Sequence, residues 1–199
     1  MTMTTKILKG ALLIGATIAL FSFDMPKGWT SGGTDLTEYA MGIDKGAGQD
    51  GKNAATIKSI KTKTKDFGTM FQNCLPEKFL GKRVRLSAFI KTKDVSDWAG
   101  LWFRIDGETT KDCLGFDNMK DGKKDRSIKG TTDWTKYEIV LDVPLKSTNL
   151  AYGALLVGTG QLWFDNVNFE VVDNIVPTTG SGKDEMMPNK EPINLDFEK

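Results

Sequence analysis

Histidine is absent from this chain of 199 residues, and its absence excludes several kinds of chemistry at once. Ser–His and Cys–His nucleophile pairs and metal sites built on imidazole all require it. Cysteine is scarce as well, because Cys74 and Cys113 are the only two, too few for a zinc ribbon or a disulfide-dense scaffold. Pairing in an oxidising compartment and burial as small free thiols are the two roles left open to them.

A strong excess of charge is also missing, since the formal net charge is only +1. No overall field therefore attracts the chain to nucleic acid or to acidic lipid, and we expect no nucleic-acid partner. After the N-terminal segment, no window longer than about ten residues carries apolar residues at helical spacing. The glycine count of 21 and the aromatic content of 10% are instead typical of a protein with many strands and turns.

The N-terminal segment has the pattern of a secretory signal. Lys6 and Lys9 precede an apolar stretch over residues 11–21, and this order is typical of a signal peptide rather than a transmembrane helix. We expect a signal peptide over residues 1–23, a mature chain that begins near Ser22 to Met25, and a secreted or periplasmic protein with no other membrane segment. An uncleaved anchor or a first strand is the alternative.

Short alternating segments then follow one another, separated by Gly, Asp and Pro. About nine such segments predict an all-β antiparallel β-sandwich, a jelly roll, over residues 24–173. Residues 174–199 read as a flexible tail, in which Leu195–Glu198 resembles residues 20–24 and suggests the start of a truncated repeat. The residues predicted to fill the core are Val84, Leu86, Ile90, Leu101, Phe103, Ile105, Ile139, Leu141, Leu155, Phe164, Val167 and Phe169.

The most informative stretch runs from Ala99 to Met119. Its apolar residues alternate with Trp102, Arg104 and Asp106, so one face of a strand carries an indole, a guanidinium and a carboxylate. This row is either a solvated face with a salt-bridged arginine or a binding face. The residues that we expect to join it as ligand-binding residues are Arg85, Gln72, Asp117, Asn118 and Trp98, the last one from a loop over residues 94–98.

Three further segments resemble a known family. They are Gly81–Lys91, which contains Gly-Lys-x-Val-x-Leu-Ser, the Trp134–Tyr137 strand closed by Val143-Pro144, and Trp163–Phe169 with its Asp and bulge. Together they resemble carbohydrate-binding-module-like jelly rolls of the family 4/9/22 type, within the galactose-binding-like superfamily, over roughly residues 26–173. Such modules occur beside hydrolase domains in bacterial secreted proteins.

The resemblance implies a sugar site on the concave sheet face or at a loop tip, and a structural calcium to which Asp165 corresponds. The ligand expected from it is a carbohydrate or another small polar molecule. Independently of the resemblance, the carboxylates of Asp44–Asp50 form a loop that either binds calcium or is a solvated turn.

Three functions fit these patterns. The first is a non-catalytic exported carbohydrate-binding module, since aromatic faces and planar polar side chains suit a sugar ring. The second is a structural or protein-interaction domain accessory to a hydrolase or another partner domain, because Trp and Arg also anchor protein interfaces. The third is a small carboxylate-dependent glycan-active enzyme, which the scattered acidic residues disfavour. We therefore expect no enzyme and no catalytic residue.

Overall fold

The structure is a computed structural model that describes residues 23–109 and 112–182, and the segment predicted as a signal peptide lies outside them except for Phe23. The described residues form ten strands and one short 3-10 helix, Leu36–Glu38. The strands are β1 (Thr30–Gly33), β2 (Tyr39–Asp44), β3 (Ala54–Ser59), β4 (Phe67–Cys74), β5 (Lys82–Asp106), β6 (Cys113–Asp117), β7 (Ile128–Val143), β8 (Asn149–Val157), β9 (Gln161–Val172) and β10 (Ser181–Gly182).

All strand pairings are antiparallel, and β5 divides them into two layers. The first half of β5, residues 82–93, pairs with β9 on one side and β7 on the other. The second half, residues 98–106, pairs with β8 and β6. We call the layer β2-β3-β9-β5-β7 the first sheet and the layer β1-β4-β8-β5-β6-β10 the second sheet. The predicted all-β jelly-roll sandwich is confirmed.

The long strand β5 corrects one prediction. Residues 94–98, expected as a loop, lie within this strand of 25 residues. Register shifts between Ile90 and Ala99, and a left-handed φ of 52° at Asp94, mark the place where the strand bends from one sheet into the other.

The core lies between the sheets and follows from the alternation of the strands. Val84, Leu86 and Ile90 point inward from the first half of β5, and Leu101, Phe103 and Ile105 from the second half; none of them exceeds 1% exposure. Leu155, predicted as core, instead shares the outer face with its partners Thr69 and Gly100, while its neighbours on β8 point inward. The predicted bulge at Asp165–Asn166 is present, because the register of β5 and β9 shifts there and Asn166 has a φ of 53°.

The segment after Asp173 differs from the expected flexible tail as far as it is described. Thr179 donates its backbone N–H to Val140 O at 2.9 Å and accepts the Val140 N–H on its hydroxyl, and β10 then pairs with β6. The proposed repeat at Leu195–Glu198 lies outside the described residues. Both cysteines are free thiols, Cys74 half-buried and Cys113 exposed. The described residues contain no helix long and apolar enough to cross a membrane.

Candidate functional site

The outer face of the second sheet is built from directly paired residues of three neighbouring strands. Trp102 on β5 lies opposite Gly153 on β8, which lies opposite Phe71 on β4. One step along the strands, Arg104, Ala151 and Asn73 form the next row. Paired residues of an antiparallel sheet share a face, so all six belong to one surface.

Trp102 crosses this surface instead of standing away from it. Its Nε1 donates a hydrogen bond to Thr69 Oγ1 on β4 at 2.8 Å, although Trp102 itself belongs to β5, two strands away. Its ring lies 5.9 Å from that of Phe71 at an interplanar angle of 47°. The indole therefore spans β8, half-buried, and provides an aromatic platform on the sheet.

Small residues on β8 make this crossing possible. Gly153 is the β8 partner of Trp102, and a Cβ built there would lie 2.1 Å from Met70 O on β4. Glycine is therefore required by the close approach of two strands. Ala151 forms the floor of the next row, where Arg104 and Asn73 stand on either side.

A polar row borders the platform. The Asp106 carboxylate accepts a hydrogen bond from Arg104 Nε at 2.6 Å and another from Asn149 Nδ2 at 2.9 Å. Asn149 Nδ2 also reaches Asn73 Oδ1 at 3.3 Å, so the row extends over β5, β8 and β4. Guanidinium and amide groups are held in fixed orientations beside an aromatic ring, as planar recognition of hydroxyl groups requires.

The structure thus brings together three of the predicted site residues, Trp102, Arg104 and Asp106, on one face. Arg85 is not among them, because it belongs to the first half of β5 and lies on the outer face of the first sheet. Its guanidinium pairs there with Glu138 at 3.3 Å and with Glu170 at 3.0 Å. The bend in β5 separates Arg85 from Trp102.

Asp117 and Asn118, expected on the same face, instead support a turn. Asp117 has no exposed surface, points inward with its partner Phe103, and accepts hydrogen bonds from Met119 N and from the Arg126 guanidinium. The Asn118 side chain accepts the backbone N–H groups of residues 120 and 121.

Trp98 and Gln72 also differ from expectation. Trp98 is a strand residue with 7% exposure and is covered by Lys120, whose Nζ lies 5.0 Å from the ring centroid. Gln72 points to the interior, where its Oε1 accepts a hydrogen bond from the Tyr152 hydroxyl. It lines a cavity between the sheets and not the outer face.

Asp165, the predicted metal ligand, is engaged by backbone groups. Its Oδ2 accepts from Gln49 N at 3.3 Å and its Oδ1 from Asn166 N at 2.7 Å. In the loop over residues 44–50, Asp44 accepts from Trp163 Nε1 and Asp50 pairs with Lys52. Within residues 23–109 and 112–182, no three Asp, Glu or Cys side chains are grouped closely enough to hold a metal ion. Side chains of the described residues alone therefore do not form a calcium site, and Asp165 lies at the bulge of β9, where it accepts a hydrogen bond from the loop over residues 44–50.

Several residues of the face were missed by sequence reasoning. Three of them lie in strands whose apolar alternation is weak: Phe71, Asn73 and Asn149. The other two, Thr69 and Gly153, are of residue types that do not by themselves indicate a binding site. The one indication in the sequence is the order Phe-Gln-Asn in β4. It points to this face only once the pairing of β4 with β8 is known.

The comparisons with known proteins bear on the fold and on relatives. No family model matches the chain. A curated protein, the uncharacterized HTH-type transcriptional regulator YbfP of Bacillus subtilis (strain 168), is 44% identical over 176 residues. That match covers 86% of this chain, and the chain spans only 57% of the relative's length.

Solved structures share the fold at low identity. The enzymatically active domain of tailspike protein 4 from bacteriophage CBA120 matches 73% of this chain and 20% of its own at a TM-score of 0.52 and 12% identity. The CBM22-1-GH10 modules of Clostridium thermocellum xylanase 10B, complexed with xylohexaose, match 73% of this chain and 26% of their own. Their TM-score is 0.51 and their sequence identity is 12%. The CBM22-2 xylan-binding domain of Paenibacillus barcinonensis Xyn10C matches 73% of this chain and 92% of its own. Its TM-score is 0.50 and its sequence identity is 12%. The chain therefore has the fold of these carbohydrate-binding modules.

Proposed function

We propose that this chain is a non-catalytic carbohydrate-binding module that holds a saccharide on the outer face of the second sheet. The observation that carries the proposal is the placement of Trp102, whose indole reaches across β8 and is fixed by its hydrogen bond to Thr69 on β4. A sugar ring presents an apolar C–H surface, and a flat, immobilised indole is a complementary partner for it.

The polar row supplies the second half of the recognition. Arg104 and the amides of Asn73 and Asn149 stand beside the platform and offer donors and acceptors for hydroxyl groups. Their mutual hydrogen bonds orient them before a ligand arrives, so less side-chain freedom is lost on binding. The face then takes one saccharide ring on Trp102 while hydroxyl groups reach the row.

The same row supports binding without cleavage. Both oxygens of Asp106 already accept hydrogen bonds, one from Arg104 and one from Asn149. Glycosidases use two carboxyl groups that flank the scissile bond, about 5–10 Å apart. The neighbouring polar residues of the row are amides and a guanidinium, which bind hydroxyl groups but do not serve as the second acid.

A glycan array with the full chain, extended by calorimetry, tests this function. Xylo-oligosaccharides are the first soluble probes, because one of the solved structures with this fold is a complex with xylohexaose. We expect wild-type binding, and a loss of at least about tenfold in affinity, ~1.4 kcal/mol, for Trp102→Ala. Trp163→Ala is the matched control, since Trp163 lies on the outer face of the first sheet and donates its Nε1 to Asp44 in a comparable way. No binding to any glycan, or an equal loss in both variants, overturns the proposal.

Export of the chain is part of the proposal and rests on residues 1–23. The sequence relative favours a second candidate, in which the same module is the ligand-sensing part of a longer regulator and stays inside the cell. Fractionation of cells that express the full chain, with mass spectrometry of its N-terminus, separates the two. A processed chain outside the cytoplasm supports export, whereas an intact N-terminus in the cytoplasm supports the sensing role.

A further inference from the structure

A cavity of about 440 Å³ opens between the two sheets, at the end where the segment before β1 meets the start of β3 and the bulge of β9. Its inner wall includes Trp29, Ala55, Gln72, Tyr152 and Phe164. A cavity within the size range of small-molecule sites, at an end of the sandwich, is therefore a candidate for a ligand.

The shape of β9 explains why this space stays open. Asn166 adopts a left-handed φ of 53°, and the register between β5 and β9 shifts at this bulge. The strand then resumes with Val167 and Phe169, which line the cavity together with Phe164 from before the bulge. Across the opening, β3 contributes two alanines, Ala54 and Ala55, whose small side chains leave the volume unfilled.

The walls combine aromatic rings with amides. The Trp29 ring meets Tyr152 edge-on, with centroids 6.0 Å apart, and is tilted against Phe164 at 5.3 Å. The Tyr152 hydroxyl donates to Gln72 Oε1, and burial raises the pKa of this phenol, which keeps it a donor. Among the described residues none accepts a hydrogen bond from Gln72 Nε2, and the amide of Asn53 stands at the rim.

The charges of the lining argue against an anionic ligand. No lysine or arginine lines the cavity within the described residues, so an anion finds no partner. Asp165 is the one charged residue of the lining, and both of its oxygens already accept backbone N–H groups. Aromatic faces, amide donors and acceptors, and a carboxylate already engaged by backbone N–H groups together suit a neutral ring that carries hydroxyl groups.

We infer that this cavity is a second binding site, for one neutral sugar unit, separate from the outer face. The two sites share strands β4 and β8 but use opposite sides of them, because Tyr152 and Gln72 point inward where Gly153 and Phe71 point outward. The inference does not rest on the proposed function, and either site can fail without the other.

Protein-observed NMR of the full chain tests the inference through the five tryptophan indole N–H signals. We expect neutral monosaccharides such as xylose, glucose or galactose to shift the Trp29 signal. The dissociation constant for glucuronate, measured by the same shift, should be at least tenfold higher. Ala55→Leu fills the cavity and is expected to abolish the shift. Gln72→Met, which keeps the volume but removes the amide, should weaken binding and serves if Ala55→Leu fails to fold.

Trp102→Ala separates this site from the outer face and is expected to leave the Trp29 shift unchanged. The inference is overturned if no neutral monosaccharide moves the Trp29 signal, or if glucuronate binds as well as the neutral sugars. It is also overturned if Trp102→Ala abolishes the shift, because binding would then belong to the outer face.

Discussion

The Thr69 hydroxyl joins Trp102 to β8 by accepting the indole N–H at 2.8 Å and donating to Ala154 O at 2.7 Å. The relation ties three strands together through one buried hydroxyl, since Thr69 is on β4, Ala154 on β8 and Trp102 on β5. The platform is therefore part of the sheet's own hydrogen bonding, and its orientation is set before any ligand is present.

Replacing Thr69 by valine tests this relation. Valine keeps the β-branched shape but leaves the Trp102 indole N–H without its acceptor, so we expect the free energy of unfolding to fall by about 1–2 kcal/mol. Thr69→Ser, which retains a hydroxyl, is expected to lose less. Urea denaturation followed by tryptophan fluorescence measures both, and equal stability of the valine variant and the wild type would contradict the bridging role.

Gly153→Ala is expected to destabilise the second sheet directly. The new Cβ would lie 2.1 Å from Met70 O and 2.9 Å from Phe71 Cα, so β4 and β8 must separate. We expect a loss of about 1–3 kcal/mol in the free energy of unfolding. Gly115→Ala on β6 is the control, because its nearest contact, Ile105 Cδ1 at 3.4 Å, is ordinary, and a comparable loss there would show that any glycine replacement in this sheet is harmful.

The Arg126–Asp117 pair is expected to matter more for stability than the Arg85 pairs. Arg126→Ala leaves the Asp117 carboxylate, which has no exposed surface, without its cation. We expect a loss of about 2–3 kcal/mol, less than for a fully buried pair because the Arg126 side chain is 27% exposed. Arg85→Ala removes pairs with the more exposed Glu138 and Glu170 and should lose at most about 1 kcal/mol. Thermal denaturation of both variants measures the two losses. A larger loss for Arg85→Ala than for Arg126→Ala would contradict this ranking.

The buried hydroxyl of Tyr39 leads us to expect a loss of stability at alkaline pH. Burial raises its pKa from 10.0 to about 12, while its one hydroxyl proton is shared between Asp66 O at 2.5 Å and Gly158 O at 3.0 Å. A pKa raised in the folded state favours the protonated form, so the stabilisation is complete below pH 10 and is lost as the pH rises toward 12. Denaturation across this range should show a smaller decline for Tyr39→Phe than for the wild type. Identical declines in the two proteins would contradict the assignment.

The sequence predicts one strand of the site well and its neighbours poorly. The alternation over residues 101–106 places Trp102, Arg104 and Asp106 on one face, and the structure confirms that they share it. For β6 the expectation that Asp117 joins this face is wrong, since Gly115 and Asp117 point inward. A glycine gives no hydrophobic signal, so the buried side of such a strand is hidden in the sequence.

The neighbours of Trp102 depend on topology, which short-range patterns do not contain. The sequence pattern places Arg85 beside Trp102, because both residues occupy outward-facing positions of adjacent segments. Those segments form one strand, and its bend sends its two halves into different sheets. Gly153 and Phe71 become neighbours of Trp102 only through long-range pairing of β4, β8 and β5, over separations that no local motif records.

The most direct test of the outer-face site is an NMR titration of the full chain with an oligosaccharide. The signal to follow is the indole N–H of Trp102. With xylohexaose, or whichever glycan the array selects, we expect this signal to shift in a saturable way while that of Trp163 stays in place. Assignment by Trp102→Phe and Trp163→Phe identifies the two signals. Saturable binding that moves the Trp163 signal and leaves the Trp102 signal unchanged would contradict the outer-face site.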